Sequence, residues 1–214
     1  MSQPAPPALD GKARIMVVPD GRKSGRRRRR PWIALAITAV VLIGVIALGL
    51  PWLREANIRS NCRANLRSIG CALNAYTEDY DGEFPPSLAE SHPDYVNSAL
   101  MFKCPAIDSA GWRERAGSRP AAASSYGYVP GLTSRMPGNF ILAYDKSLEN
   151  HDGDGRNVVF VDGHVEWWPA KREAEFERRL ALQNEAVARW RASGRPAGAI
   201  GEFIGPELRK LLGE

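Results

Sequence analysis

Histidine and cysteine are scarce, with three of each in 214 residues. There is no C-x-x-C pair and no paired-histidine spacing, so zinc is not expected. G-x-S-x-G, H-E-x-x-H and a phosphate-binding loop are also missing. Their absence removes the hydrolase, metalloprotease and nucleotide-binding classes that a short motif would reveal. The three cysteines Cys62, Cys71 and Cys104 allow at most one disulfide within the chain. Cys62 and Cys71 fall on one expected helix. Their spacing puts them about half a rotation out of phase and ~13 Å apart along the axis, too far to bond each other. Cys104 could reach one of them or neither.

Charge is lacking from one stretch altogether. Pro31–Leu53 holds no charged residue, and Thr38 is its single polar side chain. As a helix it reaches about 34 Å, enough to cross a hydrocarbon core of ~30 Å. A buried amphipathic helix would show a polar face, which this segment does not. A cleavable signal peptide would be shorter and would end in small residues, whereas this run ends in Gly49-Leu50-Pro51-Trp52. A retained membrane anchor is therefore expected.

What is present is unevenly placed. The formal net charge is +5, but nine Lys and Arg crowd the first 31 residues against only Asp10 and Asp20. Arg26–Arg30 directly precede the span. Beside an apolar span such a tail reads as a positive-inside signal that also meets anionic lipid, and no nucleic-acid partner is expected. The expected location is a bacterial inner membrane, crossed once. The N-terminus is then cytoplasmic and the C-terminal domain periplasmic, where disulfides are permitted.

Beyond the span, Ile58, Cys62, Leu66, Ile69, Leu73, Tyr76 and Tyr80 recur at steps of three and four, an amphipathic helical stripe. Asp81-Gly82 and Pro85-Pro86 end it. Residues 111–124 read as a loop, and strands are expected at 125–129 and 140–144. Runs 157–161 and 164–168 flank Asp162-Gly163, a hairpin signal. A two-residue loop would pair Val161 with His164 and put Val158, Phe160, Val165 and Trp167 on the face that meets the helix. Trp167 is then core and Trp168 partly exposed. A second amphipathic helix is expected over 170–192, with a short terminal helix after Gly205-Pro206.

The expected fold is α+β: a long N-terminal helix, its transmembrane half followed by an amphipathic half, packed on a small antiparallel sheet, with a C-terminal helical extension. Four regions follow: a disordered basic tail (1–30, in which only 14–18 could be ordered), a transmembrane helix (31–53), an α+β domain (54–168) and the helical extension (169–214).

Several motifs occur in order: Leu50-Pro51-Trp52-Leu53, Cys62-Arg63-Ala64-Asn65-Leu66-Arg67-Ser68-Ile69-Gly70, Tyr76, Tyr80, Phe84-Pro85-Pro86, Cys104-Pro105, and His151 followed by Asp162-Gly163-His164-Val165. Together, across about 31–168, they resemble the pseudopilin-like proteins with a C-terminal His-X9-Asp-Gly motif, common in planctomycete- and verrucomicrobia-type bacteria. The resemblance implies a pilin-like fold in 54–168. It also implies assembly with like subunits in a type II secretion or pilus-like system, and His151, Asp162 and Gly163 as motif residues. The chain departs from the family at three places. Gly25 is followed by Arg26 and the span has no acidic residue, so prepilin cleavage and docking through a helix Glu do not carry over. Ten residues, not nine, separate His151 from Asp162, and 170–214 run past the usual end.

Among chemical possibilities, Asp152, Asp154 and Asp162, with Glu149, could offer hard oxygen ligands to calcium. The same Asp-Gly-Asp-Gly segment reads more simply as a turn, and no other cofactor is expected. His151, His164, Asp145 and Asp162 lack the arrangement of an acid–base site in sequence, so no catalytic residue, enzyme activity or small-molecule substrate is expected. The reading is a non-enzymatic, membrane-anchored assembly protein. The alternative is a membrane-tethered periplasmic binding or sensing domain that does not polymerise.

Overall fold

The structure is a computed structural model that describes residues 31–107, 112 and 123–213. The basic tail with its 14–18 segment, and most of the loop expected over 111–124, lie outside the described residues. The chain divides into two units, with the boundary between Val45 and Ile46.

Helix α1 is assigned over Pro31–Asp79. It is long and apolar enough to cross a membrane. In the first unit its side chains Leu35, Ile37, Val40, Val41 and Ile43 are exposed. The hydroxyl of Thr38 donates to the Ala34 carbonyl one turn back, so the one polar side chain of the span is satisfied within the helix.

In the second unit the expected stripe is the buried one. Cys62, Leu66, Ile69 and Leu73 have no exposed surface. Burying each aliphatic side chain stabilises the fold by ~1.5–3 kcal/mol. Ile58 is half-buried and Tyr80 is exposed, stacked on Tyr76 with centroids 4.0 Å apart. Asp81 (φ 53°) and Gly82 (φ 85°) turn the chain out of the helix, and the Gly82 N–H closes on the Thr77 carbonyl at 2.8 Å.

Four strands follow: β1 (Tyr126–Tyr128), β2 (Ile141–Asp145), β3 (Gly155–Phe160) and β4 (Val165–Pro169). They form one antiparallel sheet in the order β1-β2-β3-β4. Helix α2 (Glu173–Ser193) and helix α3 (Pro206–Leu212) complete the unit. The α+β class is as expected, with C-terminal helices after the sheet.

The hairpin register differs from expectation by one residue. Val159 pairs with Val165, Val158 with Glu166 and Asn157 with Trp167. Phe160 N–H donates to the His164 carbonyl (3.0 Å), and Gly163 N–H returns to the Phe160 carbonyl (2.8 Å). The loop therefore holds Val161, Asp162 and Gly163. Gly163 supplies the positive φ (83°) that a three-residue hairpin needs. Because side chains alternate, one step of slip exchanges the faces.

The face toward α1 carries Val159, Val165 and Trp167 instead of Val158 and Phe160. A Cβ on Gly70 would sit 2.8 Å from Val159 Cγ2, and Arg63 donates to the Val165 carbonyl at 3.1 Å. Val158 and Phe160 turn to the opposite face, where they join Trp168, which lies under the Phe176 ring. Trp168 is consequently the buried tryptophan (1% exposed), and Trp167 is half-buried.

Helix α2 covers that opposite face. Phe176 meets Trp168 (centroids 5.9 Å) and Tyr144 (5.1 Å) edge-on. Strand β1 is only three residues long, and its pairing ends with the Val129 N–H on the Leu142 carbonyl (2.9 Å). The side-chain amide of Gln183 on α2 takes over at Ile141, accepting from its N–H (2.7 Å) and donating to its carbonyl (2.8 Å). The sheet is thus a middle layer between the domain half of α1 and the C-terminal helices.

Candidate functional site

The strongest concentration of chemistry lies at one end of the α1 face of the sheet. Four chain-distant segments meet there. Cys62 comes from the buried stripe of α1. Cys104 follows the short 3-10 turn Ala99–Phe102, its N–H bonded to Ser125 Oγ (3.0 Å). Asp145 is the last residue of β2, and its alternation places it on the same face as Ala143. His151 ends a 3-10 turn, Leu148–His151, that is capped when Ser147 Oγ accepts from Glu149 N–H. All four side chains are fully buried, and one ligand-type atom from each lies within 4.8 Å of all the others.

Asp145 is the hub. Its Oδ1 accepts from the Cys62 thiol at 2.9 Å. Its Oδ2 accepts from the Asn157 N–H (2.8 Å) and side-chain amide (3.1 Å), and lies 3.2 Å from His151 Nε2. The Arg156 guanidinium bonds the Asp145 carbonyl (3.0 Å), and the Lys103 ammonium bonds the Cys104 carbonyl (3.2 Å). Tyr126 OH stands 3.4 Å from Cys62 Sγ, and the His151 ring meets Trp167 edge-on.

The electrostatics follow from this crowding. The bond with Cys62 pulls the Cys104 thiol down to about 6 against the opposing effect of burial, and His151 pulls the same way. Cys62 moves the other way, raised by its bond to Cys104 and by burial. Burial works against a charged His151, but the bonds to Asp145 and Cys104 outweigh it and raise the imidazole to about 10. One group stays unsatisfied: His151 Nδ1 has no hydrogen bond. Its neighbour is Glu55 Oε1 at 3.4 Å.

A cysteine, a histidine and an aspartate in an open cleft would suggest a nucleophile with its base. Here none of the three has exposed surface. Two thiols, an imidazole and a carboxylate can instead hold a metal ion or fix the packing of four segments.

The residues singled out from sequence are dispersed. His151 enters the cluster, but Asp162 and Gly163 lie in the hairpin loop. There Asp162 Oδ1 accepts from the His164 N–H and contacts its ring. Asp152 takes a left-handed conformation (φ 54°) that ends the turn, and Asp154 is ion-paired with Arg59. Among the described residues Asp152, Asp154 and Asp162 form no metal-ligating group; turn geometry explains the Asp-Gly-Asp-Gly segment. All three cysteines are free thiols. Cys104 is beside Cys62, and Cys71 is exposed.

Sequence reasoning named Asp145 only among acid–base candidates, left open which cysteine Cys104 approaches, and missed Asn157. A signal for Asp145 was a carboxylate ending an otherwise apolar strand. No family model matches the chain, and no match is found among curated proteins or solved structures.

Proposed function

We propose that the protein is a non-enzymatic, membrane-anchored structural protein, pseudopilin-like in fold. In this reading it is an assembly component of a type II secretion or pilus-like system. The observation that carries the reading is the composition of α1. One assigned helix holds an uncharged span of exposed Leu, Ile and Val, and then a buried stripe on which the sheet of the second unit is laid. The burial of every candidate nucleophile and base in the cluster supports the absence of an enzymatic role.

The basic tail is cytoplasmic and the domain periplasmic, so Cys71 is a topology probe. It is the exposed cysteine, whereas Cys62 and Cys104 are buried. A membrane-impermeant maleimide is expected to label the chain in spheroplasts, and Cys71→Ser to abolish that labelling. Assembly is tested by crosslinking in intact cells. Ladders of like subunits, or adducts with secretion or pilus machinery, are the expected result. A lone monomer at every crosslinker length would overturn assembly and leave a tethered binding or sensing domain.

A further inference from the structure

We propose that Cys62, Cys104, Asp145 and His151 form a closed, four-coordinate site for a divalent transition metal, with zinc as the matching ion. Four ligand types, one each from α1, the 104–107 turn, β2 and the 148–151 turn, converge at zero exposure with their ligand atoms within 4.8 Å of one another. A tetrahedral zinc with bonds of about 2.0–2.3 Å holds its ligand atoms roughly 3.3–3.8 Å apart, so small side-chain adjustments complete the site.

The cluster's own hydrogen bonds do not satisfy it. The Cys62 thiol donates its one proton to Asp145 Oδ1 at 2.9 Å, and the Cys104 sulfur lies in the same group of ligand atoms within 4.8 Å. His151 Nδ1 has no hydrogen bond and meets only the Glu55 carboxylate, at 3.4 Å. A metal would take the place of the thiol protons and fix the imidazole ring. With Asp145 Oδ1 and His151 Nε2 as ligands, Oδ2 keeps its two bonds from Asn157. Nδ1–H then points at Glu55 Oε1, 3.4 Å away. A carboxylate behind a ligating histidine is a recurring outer partner that fixes the ring.

Donor chemistry selects the ion. Two thiolates and an imidazole suit a borderline-soft metal, and hard calcium or magnesium would prefer an all-oxygen set. Two thiolates, a carboxylate and a dication leave one net negative charge, which the Arg156 and Lys103 cations on the neighbouring carbonyls offset. With four protein ligands and no exposed surface the site is structural, tying α1 to the sheet. A cleft of about 540 Å³ lies beside it, lined by Glu55, Glu149 and Asp152 against the Arg54 cation. The site needs no second copy of the chain.

The test uses the full chain in detergent, as purified and after incubation with Zn²⁺ alone or Co²⁺ alone. Elemental analysis should give one zinc per chain. Co²⁺ should produce the visible bands of a tetrahedral centre together with sulfur-to-cobalt charge transfer. Cys71→Ser should keep both signals, and Cys104→Ser should lose at least tenfold in zinc occupancy while circular dichroism stays unchanged. If Cys104→Ser unfolds, the cobalt spectrum of Cys71→Ser still decides, because only Cys62 and Cys104 can then supply thiolate. Failure to bind either metal would overturn the proposal. So would an intact mass two daltons low that maps to a Cys62–Cys104 disulfide.

Discussion

The two faces of the sheet are both buried, yet the polar groups inside them are of opposite kinds. Against α1 the interior holds the proton-sharing, acid-bearing cluster of Cys62, Cys104, Asp145 and His151. Against α2 it holds cations. The Arg179 guanidinium lies over Phe160 (5.4 Å) and Trp168 (5.6 Å) and bonds the Asn139 and Leu211 carbonyls. Arg156 lies over Phe176 (4.4 Å), bonds the Asp145 carbonyl and pairs with Glu173. A guanidinium can be satisfied by carbonyls and ring faces alone. A group of thiols with a carboxylate needs protons in the right places or a metal. The α1 face is therefore the conditional one; on the α2 face the guanidiniums bond carbonyls and meet ring faces, and Arg156 Nε and Arg179 Nε are left without a hydrogen bond.

The comparison is broken most sharply at Asp145. Asp145→Ala leaves Asn157, Cys62 and His151 without their shared acceptor. It is expected to cost about 3–5 kcal/mol, the scale of stripping one partner from a buried charged pair. Urea unfolding of the full chain in detergent reads it. A loss below about 1 kcal/mol would show that the cluster does not hold the fold. Gln183→Ala strips the other face of its one backbone-like side chain and leaves both polar groups of Ile141 unpaired. At ~1–3 kcal/mol for each buried orphan, a loss of about 2–4 kcal/mol is expected in the same assay. A neutral result would mean that water or a lengthened β1 replaces the amide.

Much of the α1 face was legible in advance. The stripe from Cys62 to Tyr76 repeats at helical steps, and its burial follows from them. The apolar runs that became β2, β3 and β4 were equally plain. The register was not. Asp-Gly fits loops of two or three residues, and the choice turns on the Phe160–His164 closure, reinforced by their stacked rings at 4.3 Å. That slip moved Val158 and Phe160 to the α2 face, beside Trp168. The face itself was hidden for a related reason: an Arg and a Gln in an amphipathic helix carry no sequence sign of burial, and only the aromatic rings and the unpaired Ile141 backbone make Arg179 and Gln183 interior. The cluster was hidden by distance along the chain. Positions 62, 104, 145 and 151 have no short spacing to mark them, and the absence of C-x-x-C argued against zinc on grounds of sequence locality alone.

Gly70 tests how closely α1 must approach. An added Cβ would meet Val159 Cγ2 at 2.8 Å, and Val159 is fully buried, so it has little room to turn. Overpacking of this kind costs ~1–3 kcal/mol, while alanine regains up to about 1 kcal/mol of helix propensity over glycine. Gly70→Ala should therefore lose about 1 kcal/mol net, and Gly70→Val, without that propensity gain, clearly more. If zinc occupies the cluster, displacing α1 should also lower its occupancy in Gly70→Val. Melting curves with and without a chelator separate the two effects.

The smallest effect is expected at Arg179, and there the sign carries the argument. Arg179→Met keeps an unbranched chain between Phe160 and Trp168 and removes the guanidinium. The Asn139 and Leu211 carbonyls lose a donor, which costs, but a buried cation no longer has to be desolvated, which offsets it. Replacing a buried charge by an apolar side chain of similar volume is often neutral or stabilising. A change within about 1 kcal/mol is expected, and zinc occupancy should not move, because the sheet lies between Arg179 and the cluster. Arg179→Ala adds a cavity between the two rings and should be worse by roughly 2 kcal/mol. Should Arg179→Met instead cost as much as Asp145→Ala, the α2 face would be as conditional as the α1 face, its cation as necessary as the opposing acid.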